Sequence, residues 1–323
     1  MAASSASKAS WSWQKNILIG TIPVFPLIYG IKEAIRKNYN NLQNIYIERS
    51  SIKPSEQLKE IVNAELDKLD LDKMNLYMCL TDNAHPKTYG CFALREGAEI
   101  QLPIRVSFED VEQARRLGAN LEIDLGIPSF RKKIVVASEM GDEIVERMML
   151  SDAAKHFIVQ SQLQLAANNR IFVVPMLFQF TCLALAYPIY LLLGKVMAAP
   201  LAVACALIIV YSAIFIQLKY HKTYKVQFAD EITANLGEDY AQGAVDYFEA
   251  SMRLNQLLRT VMGEEGEKNI SENGDCKLDS LPFSERLREA KKILMKMKKN
   301  DERKKRVEQR QKQKGEKEQN KEE

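Results

Sequence analysis

The 323-residue sequence predicts an α+β membrane protein in which a transmembrane helical hairpin is inserted into a soluble α+β domain. Three observations carry that prediction. Residues 171–194, "IFVVPMLFQFTCLALAYPIYLLLG", contain no charged side chain and are long enough as a helix to cross a hydrocarbon core of about 30 Å. Residues 198–218 form a second uncharged run, after a connection whose one charge is Lys195. The flanking stretches have the helical spacing, strand-like segments and turn residues of a folded domain.

Two consecutive uncharged runs of this length are rare in soluble cores, so they are read as two spans. Arg170 precedes the hairpin and Lys219, His221, Lys222 and Lys225 follow it, against Lys195 in the turn. Basic flanks stay inside, so the turn is expected outside and both polar regions inside. Residues 17–31, "ILIGTIPVFPLIYGI", are also uncharged, but short and interrupted by Pro23 and Pro26. They are a candidate third span, a re-entrant segment or the core of a targeting signal. Ahead of them, residues 1–16 are serine-rich, with Lys8 and Lys15 and no acid, the bias of a mitochondrial transit peptide lacking its arginines.

Residues 52–169 are the soluble α+β region. Ser55 caps a helix that places Leu58, Ile61, Val62, Leu66 and Leu69 on one face. "NLYMCLTD", "TYGCFALRE", "AEIQLPIRVSF", "NLEIDL" and "KKIVVAS" are strand-like segments separated by turn residues. A further helix starts at Ser151 and Asp152 and runs toward the first span. Residues 224–298 are a C-terminal helical region, with Val245, Phe248 and Met252 on one face, followed by Leu254, Leu257, Leu258 and Val261. Gly263 ends that helix and a polar loop follows. In "SERLREAKKILMKM" one apolar stripe remains, of Leu287, Ile293, Leu294 and Met297. Residues 299–323 keep none and are expected to be a disordered charged tail or a fraying solvated helix.

Composition excludes several classes. Lys and Arg number 45 against 42 Asp and Glu, a net charge of +3 that implies no nucleic-acid partner. The five cysteines are widely spaced and include no CxxC, so free thiols are expected, with Cys79–Cys91 the one pair that neighbouring strands would bring together. No phosphate-binding glycine loop or nucleophile elbow occurs, and no cofactor or small-molecule substrate is implied.

The order of sheet-containing region, helix, membrane hairpin and acidic helix is similar to that of integral-membrane zinc proteases. In those enzymes H-E-x-x-H supplies two zinc ligands and a general base, and a later Glu ahead of Ala-Asp completes the site. Counted from Leu150, the motif falls on Ser161, Gln162, Leu163, Gln164 and Leu165. His156 is followed by Phe157 where the Glu is needed and by Gln160 one turn on. Val226 stands where the later Glu belongs, ahead of Ala229 and Asp230. The expectation is therefore a degenerate metalloprotease-like scaffold without its metal, and no catalytic, cofactor-binding or metal residue is assigned. The alternative is an enzyme with atypical ligands, His156 together with acids of residues 230–249.

The stretch "YAQGAVDYFEASMRLNQLLRTVMGEEGEKNISENGD" resembles the C-terminal region of the transmembrane protein 177 family. It matches at Tyr240-Ala241, Gly243, Asp246 to Glu249, Leu257-Leu258 and the Gly263, Gly266, Glu267, Lys268 segment. "LPF" at 281–283, "LSDAAKHF" and the hairpin fall at corresponding places, so the resemblance covers about residues 100–290 and leaves out the lysine-rich tail. It implies a non-enzymatic factor, multi-pass in the mitochondrial inner membrane, that supports biogenesis of cytochrome c oxidase. The implied partners are subunit 2 of that oxidase, its membrane assembly chaperone and the lipid bilayer. On this reading small residues such as Ala198, Ala199, Ala202, Ala204 and Ala206 let the hairpin pack closely against partner helices.

Overall fold

The computed structural model describes residues 54–69, 76–81, 85–95, 97–118, 122–124, 131–133 and 138–322, and positions 16, 20, 24 and 26–31. The transit-like segment falls outside the described residues up to position 15. Of the candidate segment 17–31, the described positions are helical.

Helix α1, Glu56–Lys68, is capped by the Ser55 side chain, which accepts from the Leu58 N–H, as the sequence predicts. Strands β1 (Leu76–Thr81), β2 (Lys87–Gly90) and β3 (Ala98–Pro103) form a sheet of order β1-β3-β2. β1 runs parallel to β3 with Leu76 opposite Ala98, and β2 runs antiparallel with Lys87 opposite Gln101. Ala98, Ile100 and Leu102 alternate into the core. A 3₁₀ turn, Ile104–Ser107, leads to α2 (Val111–Gly118). A two-stranded ribbon of β4 (Glu122–Asp124) and β5 (Arg131–Lys133) then precedes α3 (Glu139–Met148).

Helix α4, Asp152–Ala167, is the hub. Ser151 caps it, and Ala154, Phe157, Ile158, Leu163 and Ala166 are all inaccessible to solvent. A helix apolar on most of its circumference must be enclosed. α1 and the sheet cover it on one side, and α6 (Ala199–Ala234) and α7 (Glu238–Met262) on the other. Phe157, Tyr247, Phe248 and Phe283 interlock at its centre, with Phe157 and Phe248 edge-to-face at 5.6 Å. α8 (Glu264–Asn269) follows, and α9 (Phe283–Glu322) closes the body over α7.

The hairpin is made by α5 (Asn169–Leu193) and α6. Asn168 breaks the chain away from α4 and caps α5 by accepting from the Arg170 N–H. Every fourth residue of α6, Ala202, Ala206, Val210 and Ile214, is buried against Leu183, Ala186 and Tyr190 of α5. Two of the five predicted small residues therefore serve contact within the hairpin, while Ala198 and Ala204 face outward. Leu177, Leu192, Leu201, Ile208 and Phe215 are more than half exposed. The most apolar windows of α5 and α6 are only 28% and 22% buried, whereas a core helix would be enclosed. The fold is mostly helical, with a small three-stranded sheet and two helices long and apolar enough to cross a membrane.

Two features extend the sequence reading and one corrects it. Past the apolar run that ends at Leu218, α6 continues unbroken to Ala234, because nothing from Lys219 to Ala234 is Gly or Pro. Of the two forms expected for the tail, a disordered segment or a solvated helix, residues 299–322 take the second as the continuation of α9, since Lys, Arg, Glu and Gln are good helix formers even with no face to bury. The acidic stretch 228–249 is two helices: the break at 235–237 divides α6 from α7.

Candidate functional site

His156, on α4, does not meet the acids of residues 230–249. Its Nδ1 lies 2.6 Å from Oε1 of Glu65, a carboxylate on α1 whose side chain is inaccessible to solvent. Tyr240, at the start of α7, donates its hydroxyl to Glu65 Oε2 at 2.6 Å. Lys68, one turn beyond Glu65, donates to Glu65 Oε1 and to the Tyr240 hydroxyl, each at 2.7 Å. Three helices are thus joined through one buried carboxylate.

Burial alone would push the Glu65 carboxyl up, but the donors Lys68, Tyr240 and His156 outweigh it and hold it below the usual carboxylate range. Lys68, despite partial burial, is held above the usual lysine range by Glu65 and Tyr240, and burial together with Glu65 pushes the Tyr240 hydroxyl up. All three shifts lead away from neutrality, opposite to what general acid–base work requires. Chemically the network is a satisfied ion pair that ties α1, α4 and α7 together.

The positions aligned with the protease motif are used for packing. Ser161, Gln162, Leu163 and Leu165 are buried. Thr88 of β2 donates to Gln162 Oε1 at 2.9 Å, and Gln162 donates to Ser161 Oγ at 3.1 Å, joining the sheet to α4. On α6, Ala229 is buried and Asp230 accepts twice from Arg286 of α9, at 2.6 and 2.9 Å. The Arg286 guanidinium lies 4.5 Å from the Phe248 ring centre. Among the described residues, no three His, Cys, Asp or Glu side chains come together as metal ligands would. Cys79 and Cys91 are unpaired, and burial with the neighbouring Glu99 pushes the Cys79 thiol up to about 12, which leaves it a poor nucleophile.

Beside the Asp230–Arg286 pair, α6, α7 and α9 enclose a cleft of about 230 Å³. Ala234, Ala244, Phe248 and Ile293 give it an apolar floor, and Glu231, Glu285 and Glu289 line its rim.

Sequence reasoning missed Glu65 and Arg105. Glu65 carried a signal, since it falls on the stripe of Leu58, Ile61, Val62 and Leu66, where an acid is out of place unless it is paired. Arg105 carried none. It is 5% exposed, donates to Ser251 Oγ at 2.5 Å and lies over the Tyr247 ring at 4.8 Å, a position visible only once β3 and α7 are brought together.

The family model described as transmembrane protein 177 matches residues 12–311. The chain belongs to the transmembrane protein 177 family. The match reaches well beyond the residues that carry the resemblance in the sequence, into the N-terminal half and the first part of the tail. Searches of curated proteins and of solved structures gave no match. The fold accounts for several of the features that carry the resemblance to the transmembrane protein 177 family. Tyr240 holds Glu65, Phe248 holds the Arg286 guanidinium, and Gly243 is the point where α7 crosses α4, where a Cβ would fall on the Ala153 carbonyl oxygen.

Proposed function

We propose that this chain is a non-enzymatic, multi-pass factor of the mitochondrial inner membrane. It supports biogenesis of cytochrome c oxidase subunit 2 by stabilising complexes of that subunit with its membrane assembly chaperone. The observation that carries this reading is membership of the transmembrane protein 177 family over residues 12–311. The geometry supports it in two ways. The hairpin presents an outward apolar surface including Leu177, Ile208 and Phe215, suited to partner spans as well as to lipid. The residues at the protease-like positions are committed to packing and ion pairs inside the fold.

Co-purification from mitochondria in mild detergent tests the proposal. Subunit 2 and its assembly factors are expected to be enriched with the tagged chain, and newly made subunit 2 to decay faster in cells lacking it. If neither occurs, the assignment is wrong.

A further inference from the structure

The cleft between α6, α7 and α9 is smaller than the roughly 300 Å³ at which pockets begin to enclose organic ligands. It is the size for one or two anchoring side chains of a docked segment. Its floor of Phe248, Leu281 and Ile293 asks for an apolar anchor. The cation that lines it, Arg286, is neutralised by the two hydrogen bonds it donates to the Asp230 carboxylate. The charge left at the rim is negative. Glu231 has no ion pair among the described residues, and the partners of Glu285 and Glu289 are the exposed Arg288 and Lys292. Exposed pairs of this kind contribute about 0–1 kcal/mol and exchange readily.

The position of the cleft narrows the partner. α6 leaves its apolar run at Leu218 and continues without a break, so Asp230 stands roughly 18 Å further along the helix axis. By the same basic-flank rule that orients this hairpin, segments flanking a partner's span on this side are enriched in Lys and Arg within about 15–20 residues of the span. The geometry points to the cleft as a dock for the basic, amphipathic juxtamembrane helix of a membrane partner, with apolar anchors on the floor and Lys or Arg against Glu231, Glu285 and Glu289. This rests on the partner-binding role proposed above and names the surface and the chemistry it selects.

The test uses the full chain in non-ionic detergent and two labelled probes, a helical Leu/Lys peptide and the same peptide with each Lys replaced by Glu. The Lys peptide is expected to bind with an affinity that falls as salt rises, and the Glu peptide not to bind. E231K with E289K should weaken the Lys peptide about tenfold or more and admit the Glu peptide. Q227W narrows the cleft at an exposed lining position and should weaken the Lys peptide without changing its salt dependence. Equal binding of both peptides, or Lys-peptide binding unchanged by E231K/E289K, overturns the inference. The partner-binding role is read separately by co-purification. If oxidase factors still accompany E231K/E289K, the cleft is not their dock and the role stands. If the Lys peptide binds but no oxidase factor co-purifies with the unaltered chain, the role falls and the cleft stands.

Discussion

Glu65 shows how one buried charge is made tolerable. Its carboxylate receives Lys68, Tyr240 and His156 within 2.7 Å, so an amide in its place loses the charge and sets an NH2 donor against donors where one acceptor oxygen stood. E65Q should cost about 1–3 kcal/mol of stability. The sign of the pH dependence follows from the lowered folded-state value. The stabilisation is complete above the unfolded carboxyl's pKa of roughly 4.3 and is lost as pH falls through the lower folded-state value. Thermal melts between neutral and acid pH should therefore converge for E65Q and the unaltered protein at the acid end; a constant gap would refute the assignment. Asp230 makes a sharper case, because D230N leaves the mostly buried Arg286 without its counter-charge. That variant is expected to lose about 3–5 kcal/mol, and D230L with R286M to recover much of it by replacing the pair with apolar side chains. Denaturant titration of the two variants distinguishes this from simple loss of a surface pair, for which both would stay near the parent.

At the scale of elements, helix–helix contacts decide the fold, and they set how far the sequence could be read. α7 meets α4 at Gly243, where a side chain would strike the Ala153 carbonyl and crowd Phe157. G243A is expected to cost about 1–3 kcal/mol by forcing the helices apart, whereas an alanine in an open helix would be stabilising; chemical denaturation reports the sign. Local patterns foretold much. The Ser55 and Ser151 caps, the starts of the first three strands, the hairpin and the stop at Gly263 are legible because each is signalled by residues within one or two turns. The strand ends at Gly90 and Pro103, short of where the segments 88–96 and 98–108 are expected to run, are not. The candidate site was less legible. His156 stood out, but its partner lies 91 positions earlier in the chain, and the partner of Asp230 lies 56 positions later. Nothing local encodes such pairings. The run of α6 past Leu218 has no signal of its own, since the charged residues there mark the end of the apolar span while helix propensity has no reason to fall.

For the whole molecule, the question is where the basic C-terminal helix points. α9 is fixed to α6 by Arg286–Asp230, and Lys298 reaches Glu238 at the start of α7, so it rises along α6 in the same direction, away from the apolar hairpin. From Lys298 to Glu322 a continuous helix adds roughly 36 Å in that direction, too far from the exit at Leu218 to lie on the leaflet, where surface attraction decays within about 10 Å. Deleting residues 299–323 should therefore leave retention in the membrane after alkaline carbonate washing unchanged, because the apolar faces of α5 and α6 hold the chain there. The same geometry places the Lys- and Arg-rich tail on the side of the soluble domain, opposite the 194–198 turn. In sealed vesicles of the membrane that holds the chain, prepared so that the face carrying the soluble domain stays enclosed, trypsin should leave the tail intact and remove it only after the bilayer is opened. A thiol reagent should label V196C in the turn before opening. Tail cleavage in sealed vesicles, with V196C protected, would invert the topology and with it the basic-flank argument that set it.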